Sequence, residues 1–317
     1  MYVLRRPILA ISANTGVRDV VSKAPVTRDV VRRFVAGESV DDATAAVTAL
    51  RADGLLVTLD HLGEDTTEKA QADATVAAYL GVIDKLIEIG TVADAEVSVK
   101  LSAVGQALPV SDDVPEGGEA YALAGARRIA DAAYAAGARV TLDMEDHTTV
   151  DSTLRVLRTL RKEHPDIGIA VQAMLKRTPA DLTGLVGPGS RVRLVKGAYH
   201  EPETVAFTDA ADVDLAYVRC LRLLMAGEGR PMVASHDPRI IAIAERLAAD
   251  AGRAADTWEY QMLYGIRPDE QRRLVRAGHP VRIYVAYGHD WWGYFTRRLA
   301  ERPANLLFFL RSMVSKG

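Results

Sequence analysis

The chain carries, at residues 281–305, the stretch V-R-I-Y-V-A-Y-G-H-D-W-W-G-Y-F-T-R-R-L-A-E-R-P-A-N, in which a strand, a loop and a charged helix follow one another. The alternating β-branched run from Val281 to Val285 predicts the strand, and Gly288 ends it. The residues after the loop predict a helix that Pro303 stops. Helical periodicity puts four side chains on one face of this helix: Tyr294, Arg297, Arg298 and Glu301.

The adjacent arginines of this face offer two planar forks of N–H donors, which suit a carboxylate or a phosphate. The same residues are compatible with a solvated helix in which Arg297 and Glu301 form an ordinary ion pair one turn apart. The neighbouring Trp291, Trp292 and Tyr294 favour a ligand site, because an exposed helix does not need such aromatic density.

The same order of strand and helix recurs upstream of this stretch. From residue 54 onward, seven more strands are predicted, each followed by a helix. The strands are G-L-L-V-T-L-D (54–60), E-V-S-V-K-L-S (96–102), R-V-T-L-D-M-E-D (139–146), I-G-I-A-V-Q-A (167–173), R-V-R-L-V-K-G-A-Y (191–199), P-M-V-A-S-H-D (231–237) and W-E-Y-Q-M-L-Y-G (258–265). The helices follow over residues 67–89, 118–136, 149–163, 178–185, 209–225, 238–251 and 268–277.

Eight such units within about 250 residues are the expected content of a (βα)8 TIM-like barrel of the α/β class. The near-continuous apolar character of the strands favours parallel pairing buried on both faces. A doubly wound sheet is the alternative, but the chain has no G-x-G-x-x-G turn to support it. We predict an N-terminal helical arm over residues 1–50, with Thr27 or Asp29 as a cap and a second helix over 41–50, and a barrel domain over residues 51–317.

Composition limits the classes of function. A chain of 317 residues with 49% hydrophobic content is long enough for one large core. A net charge of −3 and a pI near 6.2 disfavour nucleic acid as a partner. The single cysteine, Cys220, excludes an intrachain disulfide framework and lies in a run typical of a buried helix face. No stretch approaches about 18 apolar residues, so we expect a cytoplasmic protein with at most peripheral contact with the inner face of the cytoplasmic membrane.

In a barrel, ligand-binding groups lie at the carboxyl ends of the strands. The predicted strand ends carry Asp60, Glu64, Lys100, Asp143, Glu145, Gln172, Arg193, Lys196, Ser235, His236, Gln261 and Tyr284. Other interpretations of these residues are open. Lys100 or Lys196 is either a lysine paired to a neighbouring carboxylate or a Schiff-base nucleophile. His236 is also compatible with a simple backbone hydrogen bond. The three acids Asp143, Glu145 and Asp146 are a weak pattern for a hard cation, and we predict no metal site.

Five motifs in this order resemble proline dehydrogenase over residues 59–305: V-K-L-S-A, R-L-V-K-G-A-Y, S-H-D, Y-Q-M-L-Y-G and Y-x-x-R-R-x-x-E. The resemblance implies a distorted barrel that holds FAD, oxidises L-proline to Δ1-pyrroline-5-carboxylate and passes the electrons to a quinone. Because the length leaves no room for an aldehyde dehydrogenase domain, it implies the monofunctional form, with a separate pyrroline-5-carboxylate dehydrogenase as a partner.

The resemblance also assigns roles to residues. It implies catalytic roles for Lys100, Asp143, Tyr284, Arg297 and Arg298. The cations would grip the proline carboxylate, and the ring would lie between Leu263, Tyr284 and Tyr294, with Glu64 as a gate that pairs with Arg297. The implied flavin contacts are Gln172, Arg193, Val195, Lys196, Gly197, Ala198, Ser235, His236, Gln261, Arg298 and Glu301.

The implied mechanism is hydride transfer from proline C5 to flavin N5 with a neutral substrate nitrogen. Asp143, Tyr284 and solvent are all open as acceptors of the amine proton. Without the resemblance, two rivals are a Schiff-base lyase or aldolase barrel and a non-catalytic barrel that binds an amino acid.

Overall fold

A computed structural model describes residues 31–301, and side chains are described through residue 298. The predicted caps Thr27 and Asp29, the helix stop at Pro303 and the Glu301 side chain lie outside this description.

Eight parallel strands close into one barrel in sequence order, as predicted, with β8 pairing back onto β1. Thr58 lies opposite Tyr284 at this closing seam. The strands are β1 Leu56–His61, β2 Glu96–Val99, β3 Arg139–Leu142, β4 Gly168–Gln172, β5 Arg191–Val195, β6 Arg230–Ala234, β7 Glu259–Leu263 and β8 Val281–Tyr287.

Helices alternate with the strands, and all but the last cover the outside of the barrel. They are α1 Val40–Ala52, α2 Lys69–Glu88, α3 Gly118–Ala135, α4 Val150–Leu160, α5 Thr178–Leu182, α6 Ala210–Ala226, α7 Pro238–Asp250, α8 Pro268–Arg276 and α9 Trp291–Glu301, with short 3-10 turns at Ser102–Val104 and Ala255–Thr257. Cys220 is buried in α6, as its sequence context predicted. Across residues 31–301, no helix combines the length and the apolar character that crossing a membrane requires.

Local side-chain chemistry explains where several helices begin. Ser39 and Asp42 form a reciprocal capping box at the start of α1. Asp209 caps α6 through two backbone N–H groups, and Asp237 caps α7 with Pro238 in its first turn. Each cap satisfies amides that have no acceptor within the helix, so these starts could be read from the sequence.

The strands are buried on both faces, but the inner face of the barrel is charged rather than apolar. Glu96 accepts hydrogen bonds from Arg191 at 2.5 Å and from Arg193 at 2.7 Å. Glu259 is paired with Arg282 at 2.8 Å. Burial works to raise the pKa of Glu259, but the charges of Arg282 and Arg191 outweigh it and lower that pKa to about 2. The prediction of parallel strands buried on both faces is therefore confirmed, but the description of these strands as near-continuously apolar is wrong for the inner face.

The helix after β8 lies in an unusual place. In a regular barrel this helix would cover the outside of the β8–β1 seam. Here α1 packs on that seam, against β1, β8 and α2. Helix α9 instead lies at the carboxyl ends of the strands, where Phe295 and Tyr294 pack against Leu62 and Ala286. This displacement is the distortion of the barrel, and it brings the arginine face of α9 to the mouth.

Residues 31–38 hold the start of α9 against the barrel. The Ala36 amide donates to the Ala286 carbonyl at 2.9 Å, and the Trp291 indole N–H donates to the Glu38 carboxylate at 3.1 Å. The division of the chain at residue 50 stays a prediction, but this part of the predicted arm is in contact with the barrel.

Candidate active site

Lys100 follows β2 inside the barrel mouth and is paired with Asp60 at the end of β1. Its Nζ lies 2.7 and 2.8 Å from the two carboxylate oxygens, and both side chains are buried. Burial alone favours the neutral amine, but the negative charge of Asp60 holds the pKa of Lys100 well above its ordinary value. Lys100 is therefore an ammonium, which attracts a carboxylate and is the wrong form for a Schiff-base nucleophile.

Asp143, just after β3, is the centre of this network. One carboxylate oxygen accepts from Ser98 Oγ at 2.8 Å and from Arg193 Nη1 at 2.7 Å. The other accepts from the Tyr284 hydroxyl at 2.7 Å and lies 3.4 Å from Lys100 Nζ. Burial works to raise the pKa of Asp143, but the charges of Lys100 and Arg193 and the hydrogen bond from Tyr284 lower it overall. Asp143 is therefore a carboxylate saturated with donors.

Tyr284 connects the Asp143 network to the open mouth. Its ring lies 5.3 Å from the Arg193 guanidinium carbon, and its hydroxyl lies 3.4 Å from Lys100 Nζ. Burial, followed by the charges of Asp143 and Asp60, raises the pKa of Tyr284 well above its ordinary value. Tyr284 therefore presents a neutral phenol that donates a hydrogen bond.

Arg193 and Gln261 lie below the mouth, inside the barrel. Arg193 Nε donates to Gln261 Oε1 at 2.5 Å, and Gln261 Nε2 donates to Glu259 at 2.7 Å. Arg193 also donates to Glu96 and Ser98. These bonds fix the guanidinium plane directly under the ring of Tyr284.

The two arginines of α9 meet different partners. Arg297 and Glu64 form a two-pronged ion pair, with 2.9 Å between Nη1 and Oε2 and a second contact between Nη2 and Oε1. The Arg297 guanidinium carbon also lies 5.9 Å from the ring centre of Tyr199. Arg298 lies over the ring of Tyr294 at 5.2 Å. Arg297 therefore makes a contact across the mouth, from α9 to the β1–α2 loop. The alternative pair with Glu301 lies outside the described side chains.

The ends of β5, β6 and β7 form the rest of the rim. Gly197 has φ +118°, and a Cβ at this position would lie 2.1 Å from Met174 Sδ, so only glycine fits. His236 Nε2 accepts the Leu263 amide at 2.8 Å, which places the ring proton on Nδ1. The predicted flavin contacts here are half-buried except for Ser235, which is buried: Val195, Lys196, Gly197, Ala198, Ser235 and His236.

Lys196 lies apart from the Lys100 network. Its Nζ is paired with Asp214 of α6 and lies 3.3 Å from Asp237, the cap of α7. The structure thus places the two candidate lysines in separate surroundings, one inside the barrel and one at its outer rim.

Gln172 and Glu145 connect β4 to the loop after β3. Gln172 Nε2 donates to the Glu145 carbonyl at 2.7 Å. The Glu145 carboxylate accepts the Ser102 amide at 3.0 Å and the Ser102 hydroxyl at 2.5 Å. Burial raises the pKa of Glu145 to about 7, although the bonds from Ser102 oppose that shift.

The three acids after β3 do not converge. Asp143 faces the barrel interior, Glu145 is bonded to Ser102, and Asp146 accepts the Thr148 amide at 2.7 Å. Within residues 31–301, no three groups of the kinds that ligate metals lie close enough to hold an ion.

Sequence reasoning missed Glu96 and Ser98, which support the site from within β2. The signal was present, because Glu96, Ser98 and Lys100 alternate with apolar residues and so point to one face of the strand. Their importance comes from Arg193, which both of them bind from another strand.

A closed (βα)8 barrel with cations, buried acids and tyrosines at its carboxyl end defines an α/β-barrel enzyme. The sequence model of the family described as proline dehydrogenase matches residues 43–311. A proline dehydrogenase of Deinococcus radiodurans is 42% identical over 290 residues, covering 90% of each chain. Proline dehydrogenase 1 of Bacillus subtilis is 36% identical over 314 residues, covering 99% of this chain and all of that one.

A solved structure gives the same result. Proline utilization A from Bdellovibrio bacteriovorus, inactivated by N-propargylglycine, superposes with a TM-score of 0.79 at 26% identity. The match covers 87% of this chain and 33% of that one, so the present chain spans about a third of that larger protein. The chain belongs to the proline dehydrogenase family, whose members are flavin-dependent oxidoreductases that act in proline catabolism. Of the two rivals left open by the sequence, neither the lyase nor the non-catalytic barrel fits this family.

Proposed function

We propose that the chain oxidises L-proline to Δ1-pyrroline-5-carboxylate, the first step of proline catabolism to glutamate, and that it uses FAD as the oxidant. The observation that supports this most is the meeting of Lys100, Tyr284 and Arg297 at one barrel mouth in a member of this family. A small cyclic amino acid needs a cation for its carboxylate and an aromatic wall for its ring, and this mouth supplies both.

The substrate carboxylate is held by Arg297 and Arg298, with Lys100 as the third cation. Around Lys100, the acids Asp60 and Asp143 offset the positive charge, so the network does not need an anion to be stable. Arg297 is already paired with Glu64 across the mouth, and Glu64 acts as the gate over the bound substrate. The ring lies between Leu263, Tyr284 and Tyr294, which exclude water.

The rim fits a flavin. Gly197 lies half-buried at the mouth, and Met174 occupies the space that a Cβ would take, so a flavin at this point would lie against the Gly197 backbone and Met174. Three polar side chains of the proposed flavin contacts belong to this rim, namely His236, Gln172 and Lys196, while Arg193 lies under the ring of Tyr284. When bound, FAD would supply the oxidant that takes up a hydride from proline C5. Val195, Ala198, Ser235, Gln261, Arg298 and Glu301 complete the proposed contacts.

The amine proton leaves to solvent before hydride transfer. Asp143 already accepts from Ser98, Arg193 and Tyr284 and has a lowered pKa, so it is a weak base. Tyr284 is a neutral phenol with a raised pKa. Because only the neutral amine reacts, kcat/KM for proline should rise with pH; a plateau near neutral pH would instead indicate a base within the site.

We further propose a quinone as the electron acceptor and a separate pyrroline-5-carboxylate dehydrogenase as the consumer of the product. Delivery to a membrane quinone requires surface contact, so we propose a cytoplasmic protein with peripheral contact with the membrane. Release from membranes by salt alone is expected, and a requirement for detergent would contradict this location. Residues 1–50 as an arm and 51–317 as the catalytic domain belong to the same proposal.

The test is the visible absorption spectrum of the purified chain before and after anaerobic addition of L-proline. A flavin spectrum that bleaches supports the cofactor, the reaction and the substrate together. A flavin that does not bleach would redirect the proposal to hydroxyproline or another cyclic amino acid. A colourless protein that does not take up added FAD would refute it. N-propargylglycine, which inactivates the Bdellovibrio bacteriovorus relative, is expected to abolish the bleaching.

A further inference from the structure

The loop between β1 and α2 carries Glu64 and is attached to the 3-10 turn that follows β2. The Asp65 amide donates to Ser102 Oγ at 3.2 Å, and the Thr66 amide donates to the Ser102 carbonyl at 3.2 Å. Thr66 Oγ1 donates to the Ala103 carbonyl at 3.2 Å. Only the first of these bonds uses a side chain of the turn, so Ser102 is the point at which substitution can loosen the loop.

Asp65 needs this attachment. Its φ of +53° lies in the left-handed region, which disfavours a residue with a Cβ. The bond to Ser102 Oγ lies next to Glu64 in the chain, so it fixes the backbone from which Glu64 reaches Arg297.

Glu145 fixes Ser102 in turn. Its carboxylate accepts both the amide and the hydroxyl proton of Ser102, and it is 5% exposed. Because the Ser102 hydroxyl donates its one proton to Glu145, its lone pairs are turned toward the Asp65 amide. The chain of contacts therefore runs from Glu145 through Ser102 and Asp65 to Glu64 and Arg297.

We propose that Glu145 and Ser102 are positioning residues that hold the Glu64 loop where Glu64 can close over the substrate. The inference rests on the proposed function, because it assigns these residues a role in proline binding through the gate. Their hydrogen bonds orient the loop. Among Glu64, Ser102 and Glu145, only Glu64 forms a direct ion pair with a carboxylate-binding cation, Arg297, in the described part of the chain.

The test measures KM and kcat for proline in the flavin-loaded full chain with a soluble quinone as acceptor. Ser102→Ala is expected to raise KM about fivefold, the effect of losing the bond that the Asp65 amide donates to Ser102 Oγ, with kcat within about twofold of the parent. Ser111 is an exposed serine in the same long loop, and Ser111→Ala is the matched control, which should leave both constants unchanged. A KM for Ser102→Ala equal to that of the parent would overturn the proposal.

A double-mutant cycle separates gate positioning from a general structural role. In a Glu64→Ala background, adding Ser102→Ala should leave KM unchanged, because the loop then carries no gate to position. Effects that multiply would show that Ser102 acts independently of Glu64 and would overturn the inference. Should Ser102→Ala not fold, Glu145→Gln enters the same cycle with the same expected result.

Hydrogen exchange gives a readout that does not depend on activity. Amides of residues 62–66 are expected to exchange faster in Ser102→Ala and in Glu145→Gln than in the parent and in Ser111→Ala. Unchanged exchange would refute the positioning role. A parent chain that does not oxidise proline refutes the proposed function instead, so the two failures are distinguishable.

Discussion

The Tyr284 phenol donates a hydrogen bond to the Asp143 carboxylate, with 2.7 Å between the hydroxyl oxygen and Oδ2. Tyr284 lies in β8 and Asp143 follows β3, so this bond spans the barrel and connects the aromatic wall to the buried charge network. The two residues therefore act as one unit.

Tyr284→Phe should keep the aromatic wall but leave Asp143 with one donor fewer. We expect a loss of about 1 to 3 kcal/mol in the free energy of unfolding and about a tenfold lower kcat/KM for proline. Urea unfolding and steady-state kinetics check both. Tyr260→Phe is the matched control, because the Tyr260 hydroxyl donates to the Ile241 carbonyl at 3.2 Å on the outside of the barrel. If both variants lowered kcat/KM equally, the Tyr284 effect would not be specific to Asp143.

Arg298→Met should raise KM for proline at least about tenfold, because it removes a charged contact worth about 1.5 to 3 kcal/mol. Flavin content should fall much less than affinity for proline. Arg272→Met is the control, since Arg272 lies on the exposed face of α8 and pairs with Asp269 and Asp53. An unchanged KM in Arg298→Met would remove Arg298 from the carboxylate site.

Lys100→Met should destabilise the fold strongly, because it leaves Asp60 buried without its cation. The expected loss is about 3 to 5 kcal/mol in the free energy of unfolding. Adding Asp60→Asn should restore most of this loss, since the double variant buries no unpaired charge. Equal stability of the single and double variants would contradict the pairing of these two residues.

Glu145 makes stability depend on pH. Its folded pKa of about 7 lies above the ordinary value of 4.5, so the folded chain binds the proton more tightly than the unfolded chain does. The stabilisation of the fold that comes from this tighter proton binding is complete below pH 4.5 and is lost as the pH rises to about 7. As the pH rises from 4.5 to about 7, the parent should therefore lose about 3 kcal/mol more of its free energy of unfolding than Glu145→Gln does.

Urea unfolding of both proteins at several pH values measures this difference. Subtracting the free energy of unfolding of the parent from that of the variant at each pH cancels the contributions of other titrating groups such as Glu259. A difference that stayed constant between pH 4.5 and 7 would show that Glu145 titrates at its ordinary pKa.

The sequence was sufficient for the elements of the fold and for most of the polar groups at the strand ends. Predicted helices such as 118–136 and 238–251 agree with α3 and α7 to within a residue or two, because periodicity and caps are local properties. The motifs of the resemblance also led to the family that the comparisons identify. What they imply for individual residues stays a prediction.

The sequence did not determine which polar groups meet. Lys100 binds Asp60 from 40 residues away, and Arg193 reaches Ser98 and Glu96 over more than 90. These contacts depend on strand register and on which strands point side chains inward at the same height, and neither is encoded in a local pattern.

The position of α9 was likewise decided only by the tertiary structure. An apolar stripe such as that of Trp291 and Phe295 shows that a helix packs on something, but not on what. Because α1 packs on the β8–β1 seam and residues 31–38 hold the loop before α9, that helix lies across the mouth rather than beside the barrel. The sequence alone determined that Arg297 and Arg298 share a helix face. The resemblance suggested that Arg297 pairs with Glu64, and the packing of the whole chain is what brings the two side chains together.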